Sequence, residues 1–327
     1  MQISVRKLSQ IVVFIDFMLI QISFSIKYKA SIGKEIVDEI KSSQDLWTPM
    51  NPVDNPLKQS DYTGLFGLQS RAPSLFFNNY YKPPSGGVEP IPKNYDARKI
   101  YKQCQHPVVN QFKCAACWAF SISTVVSERF CIETKDPPPN ATYNFTSVVL
   151  SKQHMISCVY PKQFGCVSGV IDTAFQFMEK QGIVSEDCFP YSSQLGPNQT
   201  IETCKNKCIN LNDPFTRYRC KPGTSKVAKG DDDIRSMLLK KGSVFITFDV
   251  YQDFLNYGKG YFKHTTGDLL GYHAVKLVGW GYDWFRDITY YICQNSWGTE
   301  WGQRGFFNIV VGDSNSSQYG YTCDPLI

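Results

Sequence analysis

The residue types that could do chemistry concentrate first at residues 111–121, Gln-Phe-Lys-Cys-Ala-Ala-Cys-Trp-Ala-Phe-Ser. Cys114 and Cys117 stand three apart, and Gln111 precedes the second by six. Three chemistries use such a pair: dithiol redox exchange, half of a zinc site, or one nucleophilic thiol whose neighbour is tied up in a disulfide. The run from Trp118 through Phe130 is apolar nearly all round, with no Gly or Pro until Pro137, so it reads as a buried helix. Cys117 then falls in its first turn, where the helix dipole and unpaired N–H groups favour a thiolate.

The other chemically active residues weigh on the choice. The histidines are His106, His154, His264 and His273. A structural zinc site needs a second Cys or His pair at metal spacing, which Cys204-x-x-x-Cys208 could supply unless those thiols are oxidised. A redox CxxC wants alternating strands and helices around it, whereas here a loop precedes the pair and the β-rich runs come late. Nucleophilic catalysis needs a base beside the thiol and a third group to orient that base. His273 opens one β-rich run and Asn295 closes the next. A lone histidine on a strand is usually structural. Cys117, His273 and Asn295 together are a more specific set, and such partners meet in space rather than in sequence.

The elements around them bound the fold. With 327 residues, 43% of them apolar, the chain can bury the core of one two-lobed domain or of two domains. Its twelve cysteines begin at Cys104 and point to an oxidising compartment, as do sequons at Asn140, Asn144, Asn198 and Asn315. The net charge of +5 is scattered, which reads as a solvated surface and not as a nucleic-acid interface. Arg6 and Lys7 precede an apolar stretch, Ile11 to Ile26, that Asp16 and Gln21 interrupt. A bilayer span wants about 20 uninterrupted apolar residues. Residues 1–26 therefore read as a signal peptide, with an uncleaved signal anchor as the alternative.

Residues 27–90 lack cysteine and carry a short amphipathic helix around 33–42, then Trp47, then a Pro/Gly linker through Lys82-Pro83-Pro84-Ser85-Gly86-Gly87. Composition allows either a loose extension or a pro-segment with a processing site in the linker. From Ile91 onward, helices are expected near 117–132, 151–158, 171–181 and 231–241. β-rich runs follow at 244–248, 273–278, 288–292 and 306–310. Helices first and strands later, without alternation, argue for an α+β fold with a helical part at about 91–225 and a β-rich part at about 226–327.

Residues 111–121, "HAVKLVGWG" after Tyr272, "QNSWGTEWG" from Gln294 and "FGCVSG" at 164–169 resemble the signature segments of the papain-like cysteine proteases. Within that family the chain is most similar to the cathepsin B branch, on "YDARKIYKQC", "VSERFCIET", "VYQDFLNYGKGYFKHTTGDLLGYHAV" and a short leading segment with Trp47 and "LFGL" at 65–68. The resemblance implies a papain-like two-lobed fold, a helical disulfide-rich lobe and a β-barrel-like lobe with the active-site cleft between them. It implies a secretory-pathway endopeptidase made as a zymogen: residues 27–90 as inhibitory pro-segment and linker and 91–327 as the mature peptidase.

The resemblance also implies the roles. Cys117 is the nucleophile, His273 the base that forms the thiolate–imidazolium pair, and Asn295 the residue that orients it. Trp297 shields that contact from water. Gln111 and the Cys117 backbone N–H form the oxyanion hole. Gly169, Ser168, Tyr272 and Trp297 bind substrate. Implied disulfides are Cys104–Cys131, Cys114–Cys166, Cys158–Cys204 and Cys188–Cys208. Cys220, Cys293 and Cys323 are left over. Eleven cysteines besides Cys117 cannot all pair, and Cys293, inside an apolar run, is the candidate for a buried inert thiol. No metal or cofactor is implied. Expected partners are protein or peptide substrates, the pro-segment and cystatin-like inhibitors, for a monomer in a lysosome-like vacuole or outside the cell.

Four positions depart from the family pattern. Ala115 and Ala116 stand where Gly and Ser are usual, Ser168 replaces a glycine, and Tyr272 is large. No histidine lies between His154 and His264, so the histidine-bearing occluding loop of cathepsin B is missing. An open cleft and endopeptidase action without dipeptide trimming are the expectation. The rival reading is a secreted, non-catalytic binding protein on the same fold.

Overall fold

The computed structural model describes residues 33–58, 64–70, 72–73, 80–83, 90–134, 148–159, 165–193 and 201–327. The expected signal peptide, the sequons at Asn140, Asn144 and Asn198, and residues 84–89 of the linker lie outside the described residues.

The helical layer is built on α3 (Cys117–Glu133), after α1 (Lys34–Ser43) and a one-turn α2 (Ala97–Ile100). Its apolar residues do not favour one side, and fifteen of its seventeen residues are buried. It therefore forms the axis of a core and not a surface helix. Two helices pack on it, α4 (Lys152–Cys158) and α5 (Ile171–Lys180). Ser151 caps α4 by accepting from the His154 N–H.

The second layer is a sheet. Its strands are β1 (Trp47–Pro49), β2 (Tyr95–Asp96), β3 (Lys226–Lys229), β4 (Val244–Tyr251), β5 (Tyr257–Phe262), β6 (Leu269–Asp283), β7 (Ile288–Gln294), β8 (Phe306–Val310) and β9 (Tyr319–Thr322). The order is β1-β5-β8-β7-β6-β4-β9-β3, with β2 on β6; β5 and β8 run parallel and the other pairs antiparallel. Phe248, Phe254, Tyr257, Trp280, Trp301 and Phe307 fill its own core. The helix α6 (Asp231–Lys241) packs on the same sheet, with three aspartates in its first turn and two lysines in its last, as the helix dipole prefers. Among the described residues no helix is long and apolar enough to cross a membrane.

The segment upstream of Ile91 is part of this packing. Ile36, Val37 and Ile40 of α1 are buried in the sheet's core, and Trp47 packs between Tyr257 and Phe262 while its Nε1 donates to the Lys263 carbonyl at 3.0 Å. β1 pairs with β5 at one end of the sheet, and Tyr80 bridges Val227 of β3 at the other.

Five disulfides are present: Cys104–Cys131, Cys114–Cys166, Cys158–Cys204, Cys188–Cys208 and Cys220–Cys323. Cys117 and Cys293 are free and buried. Cys220–Cys323 joins residues 103 apart and fixes the C-terminal strand to the helical layer. Closing so long a loop removes much freedom from the unfolded chain. The double variant Cys220→Ser/Cys323→Ser is expected to lose about 2–5 kcal/mol of stability, measured by denaturant unfolding; an unchanged midpoint would contradict this.

Candidate active site

The two layers meet along α3 and β6, and that seam carries the site. Cys117 is the first residue of α3 and is fully buried. His273 lies on β6 opposite Phe248 of β4. Asn295 follows directly on β7, which pairs with β6, so sheet geometry brings the two side chains to one end. His273 Nε2 and Asn295 Oδ1 are 2.8 Å apart. The amide oxygen accepts, so Nε2 carries the proton and Nδ1 keeps its lone pair. Trp297 covers the pair, with its ring 4.8 Å from the imidazole. A backbone hydrogen bond from Ala274, the residue after His273, reaches the Cys117 thiol.

Gln111 is held from both layers. Its backbone N–H donates to Ser296 O at 2.8 Å, Ser296 Oγ donates to its Oε1 at 2.5 Å, and Tyr191 OH donates to its carbonyl at 2.7 Å. Neither Ser296 nor Tyr191 was singled out from sequence. Ser296 sits inside the Asn-Ser-Trp run, but nothing local marks Tyr191. Gln111 Nε2 points into the cleft and donates to three carbonyls, Gly64 O at 3.1 Å, Leu65 O at 3.2 Å and Cys114 O at 3.0 Å.

Two of those acceptors belong to a strap that crosses the cleft. Gly169 N–H donates to Gly67 O at 2.7 Å, and Gln69 N–H donates to Gly169 O at 3.2 Å, a short parallel bridge centred on Leu68. Gln69 Nε2 also donates to Ser168 Oγ at 3.2 Å. Phe66 stands edge-on to both His273 and Trp297. The approach is so close that only glycine fits at two points: a Cβ at Gly64 would lie 2.0 Å from Lys113 O, and one at Gly67 1.8 Å from Ala115 O. Gly169 is equally constrained, by the Trp118 ring at 2.5 Å.

Burial opposes the electrostatics expected for the thiol. Backbone hydrogen bonds from Ala274 on β6, from Gly67 on the strap, and from Trp118 and Cys117 at the helix start all act in the anticipated direction. Burial outweighs them and pushes the thiol up from 9.0 to about 11. Burial likewise pushes His273 down from 6.5 to about 4, against the pull of Asn295. Burial thus favours the neutral form of both groups in this state.

The other expected positions fall as follows. Ala115 and Ala116 are buried in the turn before α3, where Ala115 N–H donates to Cys166 O at 2.8 Å. Tyr272 is half-buried on β6, opposite Asp249, and packs against the helical core. Asn315 is exposed at φ 58°, but its Nδ2, the atom a glycan would use, donates to Asp249 Oδ2 at 2.7 Å. His106 and His154 are pushed down to about 4, chiefly by burial, and His264 pairs with Asp253 at 3.1 Å. His154 lies near Cys158 and Cys204, but the disulfide between those sulfurs removes the thiolates a metal would need.

Comparison with known proteins agrees with this geometry. The model of the papain family cysteine proteases matches residues 91–323. Cathepsin B-like cysteine proteinase 6 of Caenorhabditis elegans is 31% identical over 317 residues, covering 86% of this chain and 79% of the relative. Cathepsin B of Dictyostelium discoideum is 34% identical over 250 residues, covering 71% and 73%. The solved procathepsin B from Trypanosoma congolense matches the fold with a TM-score of 0.79 over 90% of this chain and 99% of that one, at 23% identity. A thiol at a helix start, a His–Asn pair on adjoining strands and a family match across both layers lead to one conclusion: this chain belongs to the papain family of cysteine proteases.

Proposed function

We propose that the chain is the zymogen of a secretory-pathway cysteine endopeptidase, with residues up to about 90 as its pro-segment. The observation that carries this is the strap: Gln111 Nε2 already donates to the backbone carbonyls of Gly64 and Leu65, so a peptide lies where a substrate would. With the strap removed, water and substrate reach Cys117 and His273. The imidazole takes the thiol proton, and the thiolate attacks the scissile carbonyl. The developing oxyanion is held by Gln111 Nε2 and the Cys117 N–H. Imidazolium protonates the leaving amine, and water then releases the acyl group from sulfur by the same steps reversed. Asn295 keeps the ring turned toward sulfur, and Trp297 keeps water from that hydrogen bond.

Leu68 hints at the preferred side chain. It packs in one apolar cluster with Ile171, Phe175, Phe245, Ala274 and Tyr321, next to the Gly169 bridge. An apolar substrate residue fits that place better than a basic one. The absence of histidine between His154 and His264 favours internal cleavage over dipeptide trimming. Disulfides and the apolar N-terminus support a secretory route.

The test is covalent labelling. An epoxysuccinyl inhibitor applied to the processed protein should modify Cys117, and Cys117→Ala should abolish both label and peptidase activity. Absence of label together with absence of cleavage of a mixed peptide library would favour a binding role. Gln111→Ala should lower kcat about a hundredfold, with little change in KM, as expected for a lost oxyanion donor.

A further inference from the structure

The thiol and the imidazole are presented by different layers, so their separation depends on what joins α3 to β6. That seam carries a buried ion pair. Lys276 Nζ and a Glu128 carboxylate oxygen are 2.5 Å apart, with the side chains 1% and 0% exposed. Glu128 lies on α3 eleven residues after Cys117, which is about three helical turns and brings both to nearly the same side of the helix. Lys276 lies on β6 three residues after His273.

Glu128 does more than meet one lysine. Its Oε1 accepts from Ser243 N–H at 2.9 Å, and its Oε2 accepts from Gln105 Nε2 at 3.2 Å. The next residue, Arg129, is also buried and donates from Nε to Ser243 O at 3.0 Å and from Nη2 to Gly242 O at 3.4 Å. Two adjacent helix residues thus grip one peptide at the start of β4, while Lys276 ties the same helix to β6. β4 and β6 are paired strands, with Phe245 opposite Lys276 and Phe248 opposite His273. Burial pulls the Glu128 carboxyl upward, but Lys276 and the Ser243 hydrogen bonds outweigh it and keep the group ionised.

We infer that Glu128 and Lys276 are positioning residues for the reaction: their buried ion pair sets the register of the Cys117 helix against the His273 strand. This rests on the proposed roles of Cys117 and His273. An apolar seam alone can slide by fractions of an ångström at little cost, because dispersion contacts are non-directional. An ion pair with fixed hydrogen bonds cannot. A misplacement of about 1 Å between reacting groups costs about a hundredfold in rate.

Replacing a buried pair by apolar residues of similar size is often neutral for stability, and this separates positioning from folding. Glu128→Leu/Lys276→Met, made as the full chain and allowed to process, removes the ion pair and also leaves Ser243 N–H and Gln105 Nε2 without this acceptor, so a modest fall in melting temperature is expected beside the kinetic loss. Its kcat should fall about ten- to a hundredfold with KM within about twofold. Active sites are counted by epoxysuccinyl titration. Lys276→Arg, which keeps the charge, should hold near wild-type kcat, whereas Lys276→Met should not. Glu128→Gln keeps the shape and tests the same point if the double variant does not fold. Wild-type kcat in a folded pair-less variant, or losses in kcat that merely follow losses in melting temperature, would overturn the inference. Wild-type protein that takes no label at Cys117 would instead overturn the catalytic reading beneath it.

Discussion

Alanine at position 67 should make the thiol of the intact chain reactive. The added Cβ would lie 1.8 Å from the Ala115 carbonyl oxygen, far inside any real contact. Ala115 cannot retreat, because its N–H is bonded to Cys166 O and both neighbouring strands of chain are joined by Cys114–Cys166. The strap must lift, and water must reach Cys117. A thiol that returns from about 11 toward 9.0 becomes about a hundredfold more ionised at neutral pH. Alkylation of Cys117 by iodoacetamide in the unprocessed variant should rise by about that factor over wild type. Gly33→Ala is the control, since nothing lies within 4 Å of its added Cβ. An unchanged rate at Gly67→Ala would mean that the strap does not seal the thiol.

The same contact should depend on pH, with a sign that the buried groups fix. His273 sits at about 4 under the strap and at 6.5 in water. The closed state therefore binds fewer protons between those values, and His273's contribution to closure is full above about 6.5 and lost as pH falls toward 4. Cys117 acts from the other side: raised to about 11, it contributes fully below 9.0 and loses this as pH rises toward 11. Closure should be firmest between about 6.5 and 9. The hydrogen-exchange protection of the Gly169 amide, which donates to Gly67, reports it directly. A protection factor that is flat from pH 4 to 8 would refute the assignment to His273.

Removing the imidazole should be second in damage only to removing the thiol in the processed protein. His273→Ala is expected to lower kcat about 10⁴-fold or more, because thiol activation and leaving-group protonation are lost together. Asn295→Ala should cost at least about tenfold less. It removes only the 2.8 Å hydrogen bond that orients the ring, and Trp297 and Phe248 still pack on the imidazole. Steady-state kinetics with counted active sites decide the matter. A His273→Ala enzyme within about tenfold of wild type would take the imidazole out of the mechanism.

Much of this was legible in sequence because it is local. The all-round apolar run after Cys117 could only be a buried helix, and α3 spans Cys117–Glu133. The late β-rich runs became β4, β6, β7 and β8. Other features were hidden because they are made between distant segments. β5 and β9 contain Gly258, Gly260 and Gly320, which weaken any strand signal, and they gain their place from neighbours. The Cys220–Cys323 pairing spans 103 residues and leaves no spacing to read. The thiol illustrates the limit best. Its place at a helix start argued for a low pKa, and that influence is real. Burial outweighs it, and burial is made by segments distant in the chain that no local reading connects to Cys117.

The upstream segment also closes both ends of the sheet. Trp47–Pro49 runs along β5 at one end, and Tyr80 and Tyr81 run along β3 at the other, where Tyr81 N–H donates to Val227 O at 2.8 Å and its hydroxyl meets Ser236 Oγ at 3.1 Å. A sheet end without a neighbour presents a row of unpaired N–H and C=O groups, a template for another chain. On the proposed reading, maturation that frees the thiol would also leave both sheet ends unguarded. Self-association should appear only after processing, and it should grow with concentration. The segment proposed to cover the thiol would then also be what keeps the chain apart from its own copies.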